Sequence, residues 1–307
     1  MSNYYPVPNG LAGQRVDVAV ATMTGLSRSK VADLIAQGKV LLDGQVPGKS
    51  DRVAVDNILS VELPPAPSTE PELTPVENMG VLYEDEDIIV VDKPAGVAAH
   101  ASQNFEGPNV LGALLASGVR LTTSGPQERM GIVHRLDVGT TGAMAVAKSE
   151  LAYTMLKRAF RDREVTKIYH ALVQGHPDPL SGTIEAPIGR DFRHQWKMGV
   201  RADGKHAITH YDTLEAMAGA TLVEVNLETG RTHQIRVHMS AIKHPCVGDE
   251  MYGADPQLAA TLGLERQWLH AVRLGFNHPR TGQYMEVNSE YPPDLLNALN
   301  AMRSGVL

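Results

Sequence analysis

Apolar residues recur along the chain with two periods, and the predicted elements follow from them. In LSRSKVADLIAQGKVLLDGQ, residues 26–45, Val31, Leu34 and Ile35 share one helical face, with Ser27 as N-cap and Gly38 as the stop. Val40–Leu42 predicts a short strand closed by an Asp43-Gly44 turn. Further on, DIIVVDKPAG is a continuous apolar run halted by Pro94 and Gly96, a buried strand entering a loop, and GAMAVAKS predicts another strand. Leu151, Met155 and Ala159 recur at every fourth position and predict a helix over Glu150–Arg161. TKIYHALVQG alternates Ile168, His170 and Leu172 with Tyr169, Ala171 and Val173, the pattern of a half-buried strand. TLVEVNLETGRTHQIRVHMSAIKHP reads as strand, glycine turn and helix. Thr232 caps that helix, Ile235, Met239 and Ile242 share a face, and Pro245 ends it.

Residues 64–75, PPAPSTEPELTP, hold five prolines and predict a stiff, extended linker. A small domain over 13–63 precedes it and a larger one over 80–300 follows. Strands at irregular spacing, with few strand–helix–strand units, predict a mixed α/β (α+β) fold with a largely antiparallel sheet.

The chain has 307 residues, 43% hydrophobic and 21% charged, long enough for two domains. Its one cysteine, Cys246, excludes an internal disulfide framework and fits a reducing cytosol. No signal-peptide pattern opens the sequence and no apolar run approaches a membrane span, so a cytoplasmic protein without a membrane partner is expected. The net charge of −7 is unevenly spread: residues 62–92 carry nine acids and no Lys or Arg, and the remainder carries +2. Two basic clusters stand out, Lys157, Arg158, Arg161, Arg163 and Lys167, then Arg190, Arg193, Lys197, Arg201 and Lys205. The second is interleaved with Phe192, His194 and Trp196, a mixture suited to phosphate contact with base stacking. Arg28 and Lys30 stand in the first turn of the predicted N-terminal helix, where the macrodipole disfavours cations unless an anion occupies that end.

In HRLDVGTTGAMAVAKS, Asp137 lies between a basic pair and a glycine turn. A carboxylate there can act as nucleophile, base or electrostatic stabiliser, or simply cap the turn. Gly139 and Gly142 keep the backbone slim, and Thr140 and Thr141 can donate into the turn. ETGRTHQIRVH brings Arg231 and Arg236 beside a second glycine turn. An arginine about 4 Å from a carboxylate is worth ~4 kcal/mol at an effective dielectric of 20, before desolvation. Tyr169 is either a stacking platform or a core aromatic, and the strand pattern favours the core. The order H-R-L-D is not the kinase H-R-D-L, and neither a G-x-S-x-G elbow nor a Walker loop is present. His233, His238, His244 and Cys246 lack paired zinc-ligand spacing. No metal or organic cofactor is expected.

The ordered blocks VVDKPAGV, GIVHRLDVGTTGAMAVAKS, KIYHALVQG, LETGRTHQIRVHMSAIKHPCVGDEMYG and LHAVRLGFNHPRTG resemble the RluA-type pseudouridine synthase family over roughly residues 80–295. Residues 13–63 resemble the RNA-binding module named after ribosomal small-subunit protein four, through SRS-K, IAQGKV, Asp43-Gly44 and ILSVELP. The resemblance implies isomerisation of uridine in RNA without cofactor or metal, in a catalytic domain with a central cleft. Asp137 would be the catalytic carboxylate, Arg236 its partner and Tyr169 the residue stacking on the base. Arg135 would fill the gap left by the extruded uridine, with His134 and Thr140 beside it at the substrate. Arg28, Lys30, Arg158, Arg161, Arg193 and Lys197 are the expected RNA contacts. The overall pattern resembles the RluD-like members most, which implies large-subunit ribosomal RNA as partner and a monomeric enzyme, with tRNA as the alternative target. Three departures are local: Thr141 where Ser is common, Ala101 where Pro often follows His100, and Asp56-Asn57 where the RNA-binding module usually has Gly-Asp. Two other classes stay open, a non-catalytic RNA-binding protein and a glycosidase pairing Asp137 with Glu185 or Glu228.

Overall fold

The computed structural model describes residues 2–305 except 25, 27, 49, 64–72, 102–104, 106 and 193–196, and it divides into two compact units, 1–68 and 69–307. Most of the proline-rich linker and the Ser27 cap lie outside the described residues.

In the first unit, β1 (Ser2–Pro6), β2 (Val40–Leu42) and β3 (Ile58–Glu62) form an antiparallel sheet in the order β1-β3-β2, packed with α1 (Val16–Thr24) and α2 (Arg28–Ala36). The stripe read from the sequence is the buried one: Val31 and Leu34 join Val16, Val20, Leu59 and Val61 in the core. Asp43 and Gly44 both take positive φ (47° and 84°), as a tight two-residue hairpin turn requires. The sequence pattern did not anticipate α1, yet α1 supplies the anion that α2 needs. Arg28 donates to Asp17 at 2.9 Å, so a cation at that helix end has an in-chain partner.

The second unit is mixed α/β around a nine-stranded sheet. Its strands are β4 (Gly80–Glu84), β5 (Ile88–Lys93), β6 (Thr141–Ala147), β7 (Thr166–Gln174), β8 (Ser181–Glu185), β11 (Ile208–Met217), β12 (Ala220–Leu227), β13 (Leu269–Asn277) and β14 (Tyr284–Asn288); β9 (Ile188–Arg190) and β10 (Met198–Val200) pair separately. The order is β4-β5-β6-β13-β7-β12-β11-β8, with β14 on β13, and among the described strand pairs only β6 and β13 run parallel. Helices α3 (Val110–Ala116), α4 (Glu150–Asp162), α5 (Gln234–Ala241), α6 (Pro256–Thr261) and α7 (Pro293–Arg303) surround it. Ile89, Val91 and Met144 pack in one core with Leu111 of α3 and Met239 of α5, whereas Ile88, Val90 and Ala145 pack in another with Leu156 of α4. Cover on both faces explains why β5 and β6 read as unbroken apolar runs.

Two patterns resolve differently from the expectation. β7 lies between β12 and β13, so Tyr169, Ala171 and Val173 enter one core while Leu172 enters another with Trp268; the strand is interior, not half-buried. On α4, Leu151 and Met155 are 43% and 41% exposed, and Ala152 and Leu156 are buried instead. One position is about 100° of rotation, so periodicity identified the helix but not the face it buries. Among the described residues, no helix is long and apolar enough to cross a membrane.

Candidate active site

Asp137 stands on the loop that leads into β6, and neighbouring segments hold that loop through its backbone. Thr140 N–H closes the turn on the Asp137 carbonyl at 3.0 Å. Lys93 Nζ donates to the carbonyls of Val97, Pro94 and Val138 at 2.7, 2.9 and 3.3 Å, and Arg266 donates to the Gly139 carbonyl at 2.9 Å. The threonine hydroxyls do not bond into the turn as expected. Thr140 accepts from Gln267 at 3.2 Å and Thr141 meets His270 Nδ1 at 2.7 Å, so both tie the loop outward to the residues at the start of β13. Gly142 is required by close approach, since at φ 113° a Cβ would lie 2.3 Å from the Ala271 carbonyl oxygen, whereas a Cβ on Gly139 would displace the Gln267 amide, 2.6 Å away.

Arg236 projects from α5 to the Asp137 carboxylate at 3.5 Å. Its stronger hold is on Asp249, with Nε and Nη2 reaching the two carboxylate oxygens at 2.6 and 2.9 Å. Burial opposes the charge of Arg236, but those hydrogen bonds and the charges of Asp249 and Asp137 outweigh it and hold the guanidinium pKa above its ordinary value. A Tyr252 ring lies 4.9 Å beneath. Helix α5 begins one residue later than predicted. His233, at φ 56°, is the N-cap, and Thr232 does not cap it. The turn before it is organised by the Gln234 side chain, whose Oε1 accepts from Thr229 Oγ1 at 2.8 Å and Arg231 N–H at 3.0 Å.

A cavity of about 450 Å³ opens here, and Asp137, Tyr169, Arg236, Arg135, His134, Thr140 and Arg161 all line it; a cleft of this size suits a single small ring system with its sugar. Tyr169 is both core and wall, 8% exposed. Burial, then the charge of Asp137, raises its phenol pKa, so the hydroxyl stays protonated. His134 stacks on Phe160 with centroids 4.5 Å apart, and its Nε2 accepts from Ala145 N–H at 2.9 Å. Burial, then the charge of Lys167, lowers its pKa to about 3, so this wall residue is neutral. Arg135 is exposed at the opening.

The remaining expected contacts lie elsewhere. Arg158 is on the outer side of α4, 3.5 Å from Asp162, and Arg28 and Lys30 belong to the first unit. Lys197 sits 4.9 Å from the Tyr252 ring, and Phe192 is 81% exposed under the Arg201 guanidinium. Arg193, His194 and Trp196 are outside the described residues. Glu185 does not line the cavity; Glu228 does, but is held by His210 at 2.8 Å and Arg163 at 3.5 Å. His233, His238 and His244 bond to Tyr252, Thr209 and the Gln174 carbonyl respectively. Among the described residues one group has metal-like spacing, Asp85, Asp87 and His278, and its oxygens already accept from Tyr83, Ser149 and Arg280.

Sequence reasoning missed Lys93 and Asp249, although both lie in the blocks quoted above. Lys93 is 0% exposed. Burial lowers its pKa to about 7, opposed by the charge of Asp137. Its signal was a lysine ending a buried apolar run, where a side chain must find partners. Asp249 carried no local signal, because nothing near it in sequence indicates an arginine.

Comparison with known proteins agrees with this geometry. The family model for RNA pseudouridylate synthase matches residues 87–241. An uncharacterized RNA pseudouridine synthase of Mycobacterium bovis is 59% identical over 300 residues, 97% of each chain. Ribosomal large subunit pseudouridine synthase D of Pseudomonas aeruginosa is 41% identical over 307 residues, covering 97% of this chain and 94% of that one. Among solved structures, human RNA pseudouridylate synthase domain containing 1 is 31% identical with a TM-score of 0.58, covering 73% of this chain and 89% of that one. The chain therefore belongs to the RNA pseudouridylate synthase family and is an isomerase that acts on RNA.

Proposed function

We propose that this enzyme converts a uridine of large-subunit ribosomal RNA to pseudouridine, with Asp137 as the catalytic carboxylate and residues 13–63 as an RNA-binding module. The observation that carries the proposal is the Asp137 side chain, 15% exposed, set against buried Arg236 in a cavity walled by Tyr169. Relatives at 38–41% identity that bear the name ribosomal large subunit pseudouridine synthase D support the choice of RNA.

A stacked uridine hides its glycosidic bond, so the base must be flipped out at a cost of a few kcal/mol. Stacking on Tyr169 returns ~1–3 kcal/mol, and Arg135 at the opening fills the gap in the helix. Asp137 then meets the nucleotide at the sugar or the base. The N1–C1′ bond breaks, the held uracil turns, and a C5–C1′ bond forms. The C5 proton leaves and N1 gains one, so atoms balance without cofactor. Arg236, fixed by Asp249, keeps the carboxylate aimed throughout.

The test is tritium release from RNA labelled at uridine C5, with ribosomal RNA and tRNA offered separately to wild type and Asp137→Asn. The expected result is release from large-subunit ribosomal RNA only, abolished in the variant while RNA binding persists. Release from tRNA alone would overturn the choice of RNA, and undiminished release by the variant would overturn the role of Asp137.

A further inference from the structure

We infer that Lys167, assisted by Arg163, forms a phosphate subsite in the wall of the same cavity and holds a backbone phosphodiester next to the flipped uridine. The inference rests on reading the cavity as a nucleotide site and adds to it a position for the backbone.

The argument begins with the side-chain row of β7. Residues 167, 169, 171 and 173 point to one face. Tyr169, Ala171 and Val173 continue into the core, but at the end of the row, where the cavity opens, the chain places a cation. Lys167 is 8% exposed. Its ammonium has three donors, and among the described residues one is used, on the Glu228 carbonyl at 3.1 Å. No carboxylate among the described residues lies within ion-pair distance of it, although Glu228 lines the same wall. A buried cation with donors to spare calls for an anion. In support, burial, then the charge of Arg163, lowers its pKa to about 8, with Glu228 opposing.

Arg163 converges on the same place. It ends α4 in the left-handed region, φ 63°, where glycine is usual, and its N–H caps the Ala159 carbonyl. That turn brings its side chain to the cavity wall, 3.5 Å from Glu228. Glu228 also has His210, at 2.8 Å, so Arg163 can turn to a phosphate without leaving that carboxylate unpaired. At the other pole, Arg236 is already matched by Asp249 and Asp137. Of the two buried cations that line the cavity, Lys167 and Arg236, Lys167 is therefore the one without a carboxylate, and it stands on the same strand as Tyr169. Lys167 and Tyr169 are two positions apart on that strand, roughly 7 Å, a separation that one nucleotide spans. A phosphodiester also suits the chemistry: it is singly charged, it accepts hydrogen bonds, and every uridine in RNA has one on each side.

The test uses the full chain and a fluorescein-labelled nine-nucleotide RNA with one central uridine among adenosines. Neutral methylphosphonate replaces either linkage flanking that uridine. Wild type, Lys167→Met and Lys167→Arg are compared by anisotropy over a salt series, with thermal unfolding as the folding check. We expect one of the two neutral linkages to weaken wild-type binding about tenfold and Lys167→Met binding hardly at all. The slope of log K against log salt should fall by roughly 0.7 in Lys167→Met, with Lys167→Arg restoring it. Equal penalties in wild type and Lys167→Met at both linkages, in folded proteins, would overturn the subsite. Tritium release is read on the same preparations. Coupling without release from ribosomal RNA removes the proposed target and leaves the phosphate site standing, whereas release without coupling removes the phosphate site alone.

Discussion

Arg236 is bound more tightly to Asp249, at 2.6 and 2.9 Å, than to Asp137, at 3.5 Å. Asp249, with a side chain 1% exposed, acts as the anchor that fixes where the guanidinium stands, and Asp137 receives only its remaining nitrogen. A charge held this way stabilises a carboxylate without closing over it, which leaves the Asp137 oxygens open to the cavity.

Removing the anchor should therefore damage both fold and chemistry. Asp249→Ala leaves a buried arginine with one distant partner, and we expect a loss of roughly 3–5 kcal/mol in urea unfolding. Asp249→Asn, which keeps the shape, should lose less stability but still slow tritium release at saturating RNA more than tenfold. Unchanged release in folded Asp249→Asn would mean that Asp137 needs no fixed arginine.

Tyr169 offers a separable pair of effects. Tyr169→Phe preserves the ring and should bind RNA as wild type does, whereas Tyr169→Leu should bind ~1–3 kcal/mol more weakly. Because the phenol pKa is raised, the wild-type rate should show no tyrosine ionisation up to pH 9. An alkaline limb below that pH, absent from Tyr169→Phe, would count against a protonated hydroxyl.

Acid should loosen the loop through His270. The ring is 0% exposed and lies 2.7 Å from Thr141, and burial lowers its pKa to about 4. The unfolded chain binds a proton below about 6.5, so this neutral histidine's contribution is complete above that pH and is lost as pH falls toward 4. The share of His270 in the slope there is about 1 kcal/mol per pH unit, measured from urea midpoints between pH 4.5 and 7. His270→Gln should reduce the slope by that share, leaving the part due to buried His134, whose pKa is also lowered; an identical slope in that variant would assign acid sensitivity to other groups.

The face of α4 is testable by stability alone. Leu156→Ala, at a buried position, should cost ~2–5 kcal/mol. Leu151→Lys, at an exposed one, should stay within about 0.5 kcal/mol. Thermal unfolding of both variants decides between the stripe that the spacing suggests and the one that packs.

What could be read in advance was whatever depends on neighbours in sequence. The buried runs of β5 and β6, the hairpin turn at Asp43-Gly44, the α2 stripe and the loop around Asp137 all follow from local spacing and from the conformations glycine permits. The motif blocks also carried the family. The misread features were long-range ones. A strand with two polar positions looks half-buried until α6 and α7 cover its second face, and an apolar spacing of four does not say which side of α4 meets the sheet.

The sequence by itself determined elements such as α2, β5 and β6 and the glycine-bounded loop of Asp137, because each is encoded within a few residues of itself, while the pairing of Asp137 with Arg236 was implied by the motif blocks rather than by local spacing. Only the tertiary structure decided that Asp249 anchors that arginine, that Lys93 and Gln267 hold the loop, and that Lys167 enters the cavity wall as a buried cation. These depend on through-space Coulomb and hydrogen-bond contacts between segments up to 127 residues apart. Nothing in a local pattern selects such partners; the packing of the sheet and its helices does.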